Sequence, residues 1–280
     1  MTNPIADPLV EVVDTDATSD LVLIEATPEG AVTVTINRAE KKNAFNAEVI
    51  AALHEAFETL QNQEHVRIVF LTGAGGAFSA GADLEWMKSA VEWSEDDNRD
   101  DAMGLARMLK ALHDIPALTV ALVDGPAFGG GAGLVAACDM AVATSASKFA
   151  FSEVRLGLTP ATISPYVVAA IGARNAKVLF ATGRIFGALD AQEWGLVQEV
   201  TADAAGLAMI KEGLSKGILE SAPGAVADAK KLVDDVAGRE IDNDLMHETA
   251  KRIAARRVSE EGQEGVRAFL ERRKPSWTTV

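Results

Sequence analysis

Two glycine-rich stretches and one glutamate hold the residues whose types and spacing could do chemistry. The first stretch is VDGPAFGGGAGLVAACD, Val123 to Asp139, with Gly129, Gly130, Gly131 and Gly133. A strand-like run, Leu118 to Val123, leads into it, and an apolar helix-like run, Leu134 to Cys138, leaves it. This order brings bare backbone N–H groups to a helix N-terminus. There they lie unpaired at the positive end of the macrodipole and can hold a developing negative charge. A glycine turn before a helix is also a common packing device. The second stretch, GAGGAFSAGADLEWM, runs from Gly73 to Met87 and also follows a strand-like run. Its Ala80-Gly81-Ala82-Asp83 segment carries almost no side chain, so a ligand can lie directly on the backbone. Two strand ends of this kind can place two N–H groups around one oxygen, as acyl chemistry through an enolate requires. Glu153 follows, flanked by Phe151, Val154 and Leu156, in a setting where desolvation would raise its pKa.

The elements that must position these groups follow from periodicity. Leu21 to Ala26 and the alternating Val32, Val34 and Ile36 read as strands around a Pro28-Glu29-Gly30 turn. Asn37 to Asn46, NRAEKKNAFN, is a polar loop. Asn46 caps a helix with Ile50, Leu53, Phe57 and Leu60 on one face. Arg67 to Thr72 is a buried-type strand. The charged region Leu84 to Asp101 reads as a solvated helix or a loop, and a helix from about Ala102 to Asp114 follows, stopped by Pro116. Asp139 to Thr144 and Lys148 to Phe151 are two short strands. From Ser164 the chain reads as helical pieces broken by Gly172, Gly183 and Gly195, with a last short strand at Leu196 to Val200. The fold expected is α/β, a core of repeated ββα-like units with a helical C-terminal extension. The division expected is a loose arm at 1–18, a core at 19–200 and a helical region at 201–280.

Composition narrows the partners. The 280 residues are 48% hydrophobic and 24% charged, which is ordinary globular material. A formal net charge of -15 argues against a broad nucleic-acid or anionic-membrane surface, although a local cluster of donors can still bind an anionic small molecule. The one cysteine, Cys138, cannot form an internal disulfide and fits a reducing compartment. No signal-peptide pattern and no long apolar run are present, so the expectation is a cytoplasmic protein without a membrane span. No metal-ligand cluster is expected. Ser79 and Ser152 lack a triad context, because His54, His65, His113 and His247 show none.

Five segments in this order, NRAEKKNAFN, AFSAGADL, GPAFGGGAGLVAACDMAVA, FSEVRLG and EGVRAFLERRKP, resemble the crotonase (enoyl-CoA hydratase/isomerase) superfamily over residues 20 to 276. The resemblance implies a ββα-superhelix core with a helical trimerisation region, in trimers or paired trimers. It implies no cofactor beyond coenzyme A, which is part of the substrate. The thioester oxygen would lie between the N–H groups of Ala80 and Gly130, beside Gly129. Ala82 and Asp83 would lie along the adenine and pantetheine arm, Lys42 near the CoA phosphates, and Phe269 and Arg272 at tail positions that reach a neighbouring subunit's CoA.

The chain departs from the simple hydratase pattern at one place. Such members carry two glutamates, and here the first position is Gly133 and the second is Glu153. Glu153 would then act as the acid/base alone, in hydration or in moving a proton between C2 and C4. SEVRLGLTPATISPYVV resembles methylglutaconyl-CoA hydratases, whose substrates carry a distal carboxylate. Arg155 or Arg107 would supply its cation. Trp86, Met87, Met103 and Leu109 have the spacing of a core face and are candidates to line the acyl pocket. A non-catalytic CoA-binding or scaffold protein is the competing reading, opposed by the retained Glu153 and both donor loops.

Overall fold

The computed structural model describes residues 20–278. The arm expected at 1–18 lies outside the described residues. Strands β1 (Val22–Ala26) and β2 (Ala31–Ile36) form an antiparallel pair across a turn in which Gly30 takes φ 83°. Helix α1 (Ala47–Gln61) starts where Asn46 accepts the Val49 N–H, as its sequence predicts. Strand β3 (Ile68–Gly73) then pairs parallel with β2.

The charged region is helical, and no long loop interrupts it. Helix α2 (Leu84–Ala90) is capped by Asp83. Helix α3 (Glu95–His113) starts seven residues before the expected Ala102, because Ser94 and Asp97 close a capping box. The acidic tract occupies the exposed first turns of α3, where carboxylates face the positive end of the helix dipole.

Strand β4 (Leu118–Val123), strand β5 (Pro126–Phe128), helix α4 (Gly130–Ala137), strand β6 (Met140–Thr144) and strand β7 (Lys148–Ala150) follow. Helix α5 (Ser164–Thr182) bends at Gly172, whose φ 74° and ψ 155° are not helical, and ends on left-handed Gly183. Strand β8 (Phe186–Gly187), helix α6 (Ala188–Glu193) and strand β9 (Glu199–Thr201) complete the strands. Helices α7 (Ala204–Ile218), α8 (Pro223–Val236), α9 (Asn243–Val258) and α10 (Glu260–Glu271) close the chain.

The main sheet runs β1-β2-β3-β4-β6-β9, parallel from β2 onward, and a second sheet runs β5-β7-β8. Side chains alternate across the main sheet. Val69, Leu71, Ala121 and Val123 join the core with α1, α3 and α4. Ile68, Phe70, Val120, Leu122 and Val142 pack on the other face with Leu207 of α7. With both faces covered, the strands read as continuous apolar runs. Among the described residues, no helix is long and apolar enough to cross a membrane.

One buried asparagine ties the NRAEKKNAFN loop to the loop after β3. Asn43 has no exposed surface and sits at φ 55°. Its amide donates to the carbonyls of Ala74 (2.9 Å) and Ala77 (2.6 Å), and its oxygen accepts the Arg38 N–H (2.9 Å). Replacing it with alanine strands these buried groups and puts a Cβ residue with no local compensation at positive φ. Asn43→Ala should cost about 2–4 kcal/mol. Thermal melting should therefore show a clear drop, and an unchanged midpoint would contradict this role.

Candidate active site

The two glycine stretches meet directly. Ser79 and Ala127 form a parallel bridge, in which the Ser79 N–H donates to the Pro126 carbonyl and the Phe128 N–H to the Ser79 carbonyl. A Cβ on Gly81 would lie 3.0 Å from the Phe128 carbonyl oxygen, and Gly81 takes φ 91°. A Cβ on Gly131 would lie 2.7 Å from that of Ser79. Glycine at both positions is therefore what lets the backbones approach.

The next few hydrogen bonds decide which amides face the site. The Ala80 N–H donates to the Lys42 carbonyl at 2.9 Å, so it is consumed by structure. This corrects the expectation that Ala80 supplies a donor. Phe45 pairs with Ala82 in a parallel bridge: the Phe45 N–H donates to the Gly81 carbonyl, and the Asp83 N–H to the Phe45 carbonyl. That pattern uses the amides on either side and leaves the Ala82 N–H without a partner. Gly130, the first residue of α4, has no partner for its N–H either, as the first turn of a helix dictates. Gly129, at φ 50°, donates its own N–H to the Ala150 carbonyl and so fixes the turn against β7.

Ala82, Gly130 and Glu153 line one cavity of about 170 Å³, with Phe45, Ile50, Trp86, Leu105, Ile163 and the 159–162 segment. Glu153 opens a short helical turn (Glu153–Leu156) directly after β7. Its Oε2 is buried without a hydrogen-bond partner, and its Oε1 lies 3.3 Å from where a Gly129 Cβ would stand. Burial pushes its pKa above the ordinary carboxylate value, outweighing a backbone hydrogen bond that lowers it. The direction is the one the sequence implies, but the cause differs in part, since Leu156 is exposed.

No second carboxylate shares the cavity. A Cβ on Gly133 would lie 2.3 Å from Ile163 Cγ2 and 2.8 Å from Ile163 Cβ. Ile163 therefore occupies the space that a side chain at 133 would need. Sequence reasoning did not single out Ile163, Phe45, Ile50 or Leu105, which carry only the signal of ordinary core residues.

Several expected residues lie outside this cavity. Asp83 is buried and forms a 2.6 Å ion pair with Arg38 while capping α2 through the Glu85 N–H. Burial raises its pKa, but the Glu85 N–H and the Arg38 guanidinium outweigh it and hold the carboxyl below its ordinary value. It is a strut of the loop. Arg155 is exposed and lies against Gly183, 3.3 Å from where its Cβ would stand, outside the cavity. Arg107 lines a neighbouring cavity with His54, Asp100 and Asp101. Neither arginine reaches the Glu153 cavity as a carboxylate partner. Lys42 is exposed at φ 51°, and its carbonyl holds the loop. Phe269 is 81% exposed on α10 and Arg272 is its left-handed cap, both away from the cavity. Of the residues with core-face spacing, Trp86 lines the cavity and Leu109 is buried in the core. A larger cavity of about 550 Å³ lies between the end of α1 and the start of α8. Its Arg67 donates to the carbonyls of Ile218, Ser221 and Trp277, and its Glu261 pairs with Arg256, so these charges hold structure. Among the described residues, no group of three or more metal-ligating side chains converges.

Residues 26–279 match the model of the enoyl-CoA hydratase/isomerase family. The chain belongs to this family. An enoyl-CoA hydratase of Shewanella pealeana has the same fold, with a TM-score of 0.89 and 35% identity over 95% of this chain and 98% of its own. A Legionella pneumophila enoyl-CoA hydratase/isomerase named as a crotonase is 42% identical over 92% of this chain and 98% of its own, with a TM-score of 0.86. Enoyl-CoA hydratase AKT6-1 of Alternaria alternata is 33% identical over 247 residues, 88% of this chain and 80% of that protein. The protein is thus an enzyme of the hydratase/isomerase class with an α/β crotonase fold.

The family's chemistry gives Glu153 a testable cost. Its folded-state pKa lies above the unfolded one, so the carboxyl favours folding fully below the unfolded value and loses that contribution as pH rises through the folded value. Glu153→Gln removes the ionisation. The variant should lose about 10²–10⁴ in kcat. It should also melt higher than the native enzyme at pH 7–8, with the gap closing toward pH 4. Retained turnover would move the acid/base role elsewhere.

Proposed function

We propose that the enzyme adds water across the C2–C3 double bond of a short enoyl-CoA. The Ala82 and Gly130 N–H groups would hold the thioester oxygen, and Glu153 would carry the proton. The supporting observation is two unpartnered backbone amides and a desolvated, unpaired carboxylate oxygen on one cavity. Ionised Glu153 takes a proton from water as the water oxygen bonds C3. The C2–C3 π pair moves to the thioester oxygen as an enolate between the two amides. The same carboxyl then returns the proton to C2, so the elements of one water are added. An oxyanion donor of this kind lowers the barrier by roughly 2.7–4 kcal/mol. A raised pKa suits a group that must be base and acid in one turnover.

The cavity of about 170 Å³ is smaller than the roughly 300–1,000 Å³ of drug-sized sites, so it fits a short, branched acyl group. A methylglutaconyl-CoA-like chain fits in size, but its distal carboxylate finds no lysine, arginine or histidine on the cavity wall. Coenzyme A would lie outside, toward the polar cleft of Arg38, Lys41, Asp83 and Ser89 that shares Trp86 with the acyl cavity. Cytoplasmic placement and the absence of a resident cofactor belong to the same reading.

Double-bond isomerisation is the second reading, and Ile163 is the observation that favours it. With that side chain in the place of a second acid, no second carboxylate stands on the cavity to hold a water with Glu153. The lone carboxyl would instead move a proton between C2 and C4. Assembly as a trimer or paired trimers is supported by the apolar residues that α9 and α10 leave exposed, among them Val258, Val266, Phe269 and Leu270. Light scattering on the purified chain should report three or six copies, and a monomer would contradict it. Mass spectrometry of the products from short and branched 2-enoyl-CoAs separates the two reactions. Hydration adds the mass of one water, isomerisation leaves mass unchanged, and no product from any chain would sink both.

A further inference from the structure

Phe45 touches both donor loops. Its backbone pairs with the first: the Phe45 N–H donates to the Gly81 carbonyl at 2.7 Å, and its carbonyl accepts the Asp83 N–H at 2.7 Å. Those two bonds bracket Ala82 and turn the Ala82 N–H to the opposite side of the strand. Its ring reaches the second loop. A Cβ on Gly130 would lie 3.1 Å from both Cδ2 and Cε2 of Phe45, so the ring edge rests on the residue that opens α4. One residue thus spans from the Ala82 segment to the Gly130 amide, on the cavity that both line.

The ring has little freedom. Phe45 is 2% exposed and belongs to the main core. The backbone on either side of it is held. The Arg38 guanidinium donates to the Ala44 carbonyl at 3.1 Å, Asn43 ties to the carbonyls of Ala74 and Ala77, and Asn46 caps α1. A close-packed ring on a fixed backbone is a rigid body, and its contact with Gly130 limits how near α4 comes to the Ala82 loop. A shorter side chain would leave a gap there, into which the neighbours relax only in part. Oxyanion donors act within about 2.7–3.1 Å of the developing charge, so their spacing is a catalytic quantity.

We propose that Phe45 is a positioning residue of the oxyanion site, a spacer whose ring sets the distance between the Ala82 and Gly130 N–H groups. This rests on the reading of those two amides as the pair that holds the thioester oxygen. Phe45 acts through the amides it separates. The oxygen carries full charge only as the enolate forms, so a slack spacing weakens the transition state more than it weakens substrate binding.

The test sets Phe45→Leu and Phe45→Met beside the native enzyme. In Phe45→Leu, kcat should fall about 10–100-fold, short of the roughly 10²–10³ that loss of a whole oxyanion donor costs, with KM nearly unchanged. Phe45→Met, whose unbranched chain can still reach Gly130, should lie between the two. Infrared spectra of bound butyryl-CoA, isotope-labelled at the thioester carbonyl carbon, read the amides directly. The native enzyme should lower the carbonyl stretch from its value in water, and both variants should give back part of that shift. A side chain that only holds the fold would lower the melting midpoint and leave the stretch of the folded enzyme unmoved. Gly130→Ala supplies a second measure, because its methyl would press on the ring. Adding Phe45→Leu to Gly130→Ala should then raise kcat instead of lowering it further. An unmoved stretch in folded Phe45→Leu overturns the proposal, as does a loss confined to KM, or single-variant losses in kcat that simply multiply. Should Phe45→Leu not fold, Phe45→Met carries the same readings, and an unmoved stretch there overturns it too. If the native enzyme leaves the stretch at its value in water, the oxyanion reading itself has failed. If native and variant enzymes lower it equally, only the spacer has failed.

Discussion

Close approach of two backbones is the constraint on which the site depends. Two unpaired amides from segments some fifty residues apart can serve one cavity only if no side chain stands between them. Gly81, at positive φ, lies against the Phe128 carbonyl at a separation that leaves a Cβ strained, and Gly131 lies against Ser79 where a Cβ would collide. The parallel bridge of Ser79 with Ala127 locks the register of this contact. The loops are in turn fixed from behind: Asn43 holds the Ala74–Ala77 turn, Lys42 takes the Ala80 amide, and Arg38 pairs with Asp83. The polar NRAEKKNAFN segment thus acts as a clamp. Its charged and amide groups spend themselves on backbone, and that rigidity keeps the remaining amides preorganised.

Much of this was legible before any coordinates. Glycines after strand-like runs marked both loops, and the apolar flank of Glu153 marked a desolvated acid. The strand runs were clear because a parallel sheet covered on both faces writes itself as continuous apolar segments. What the sequence hid is a matter of direction. In a run as featureless as Ala80-Gly81-Ala82-Asp83, composition cannot say which amide turns inward. Alternate residues of an extended segment present their N–H groups to opposite sides, and the pairing with Phe45 settles the phase. The same holds for Asp83, whose partner Arg38 lies 45 positions away. Local sequence carries no record of such a pair. The start of α3 was misplaced for a different reason. A capping box at Ser94 and Asp97 decides between the solvated helix and the loop that the acidic tract left open.

The isoleucine against Gly133 changes how the lone carboxyl should be understood. A glycine in place of an acid reads, from sequence, as a loss. In three dimensions the vacated volume belongs to Ile163, a branched, nearly fully buried side chain. Any side chain at 133 would displace it, so the two positions form one unit of packing. The substitution also dries the surroundings of Glu153, because a carboxylate that would attract water is replaced by a hydrocarbon. With no second carboxylate beside it, burial is what raises the pKa of Glu153, and Ile163 is part of the apolar wall it shares.

The unpaired carboxylate oxygen on the cavity costs the folded state something. Glu153 Oε2 loses its water without gaining a partner, and the position would be more stable filled by carbon. A fold carries such a group where a ligand supplies the missing contact. Apolar side chains such as Phe45, Ile50, Leu105 and Ile163 stand around it. A ligand that satisfies it must present a proton or water near the reacting carbons. The cavity's polarity is thus concentrated at this acid and the two free amides, and the apolar wall selects by shape.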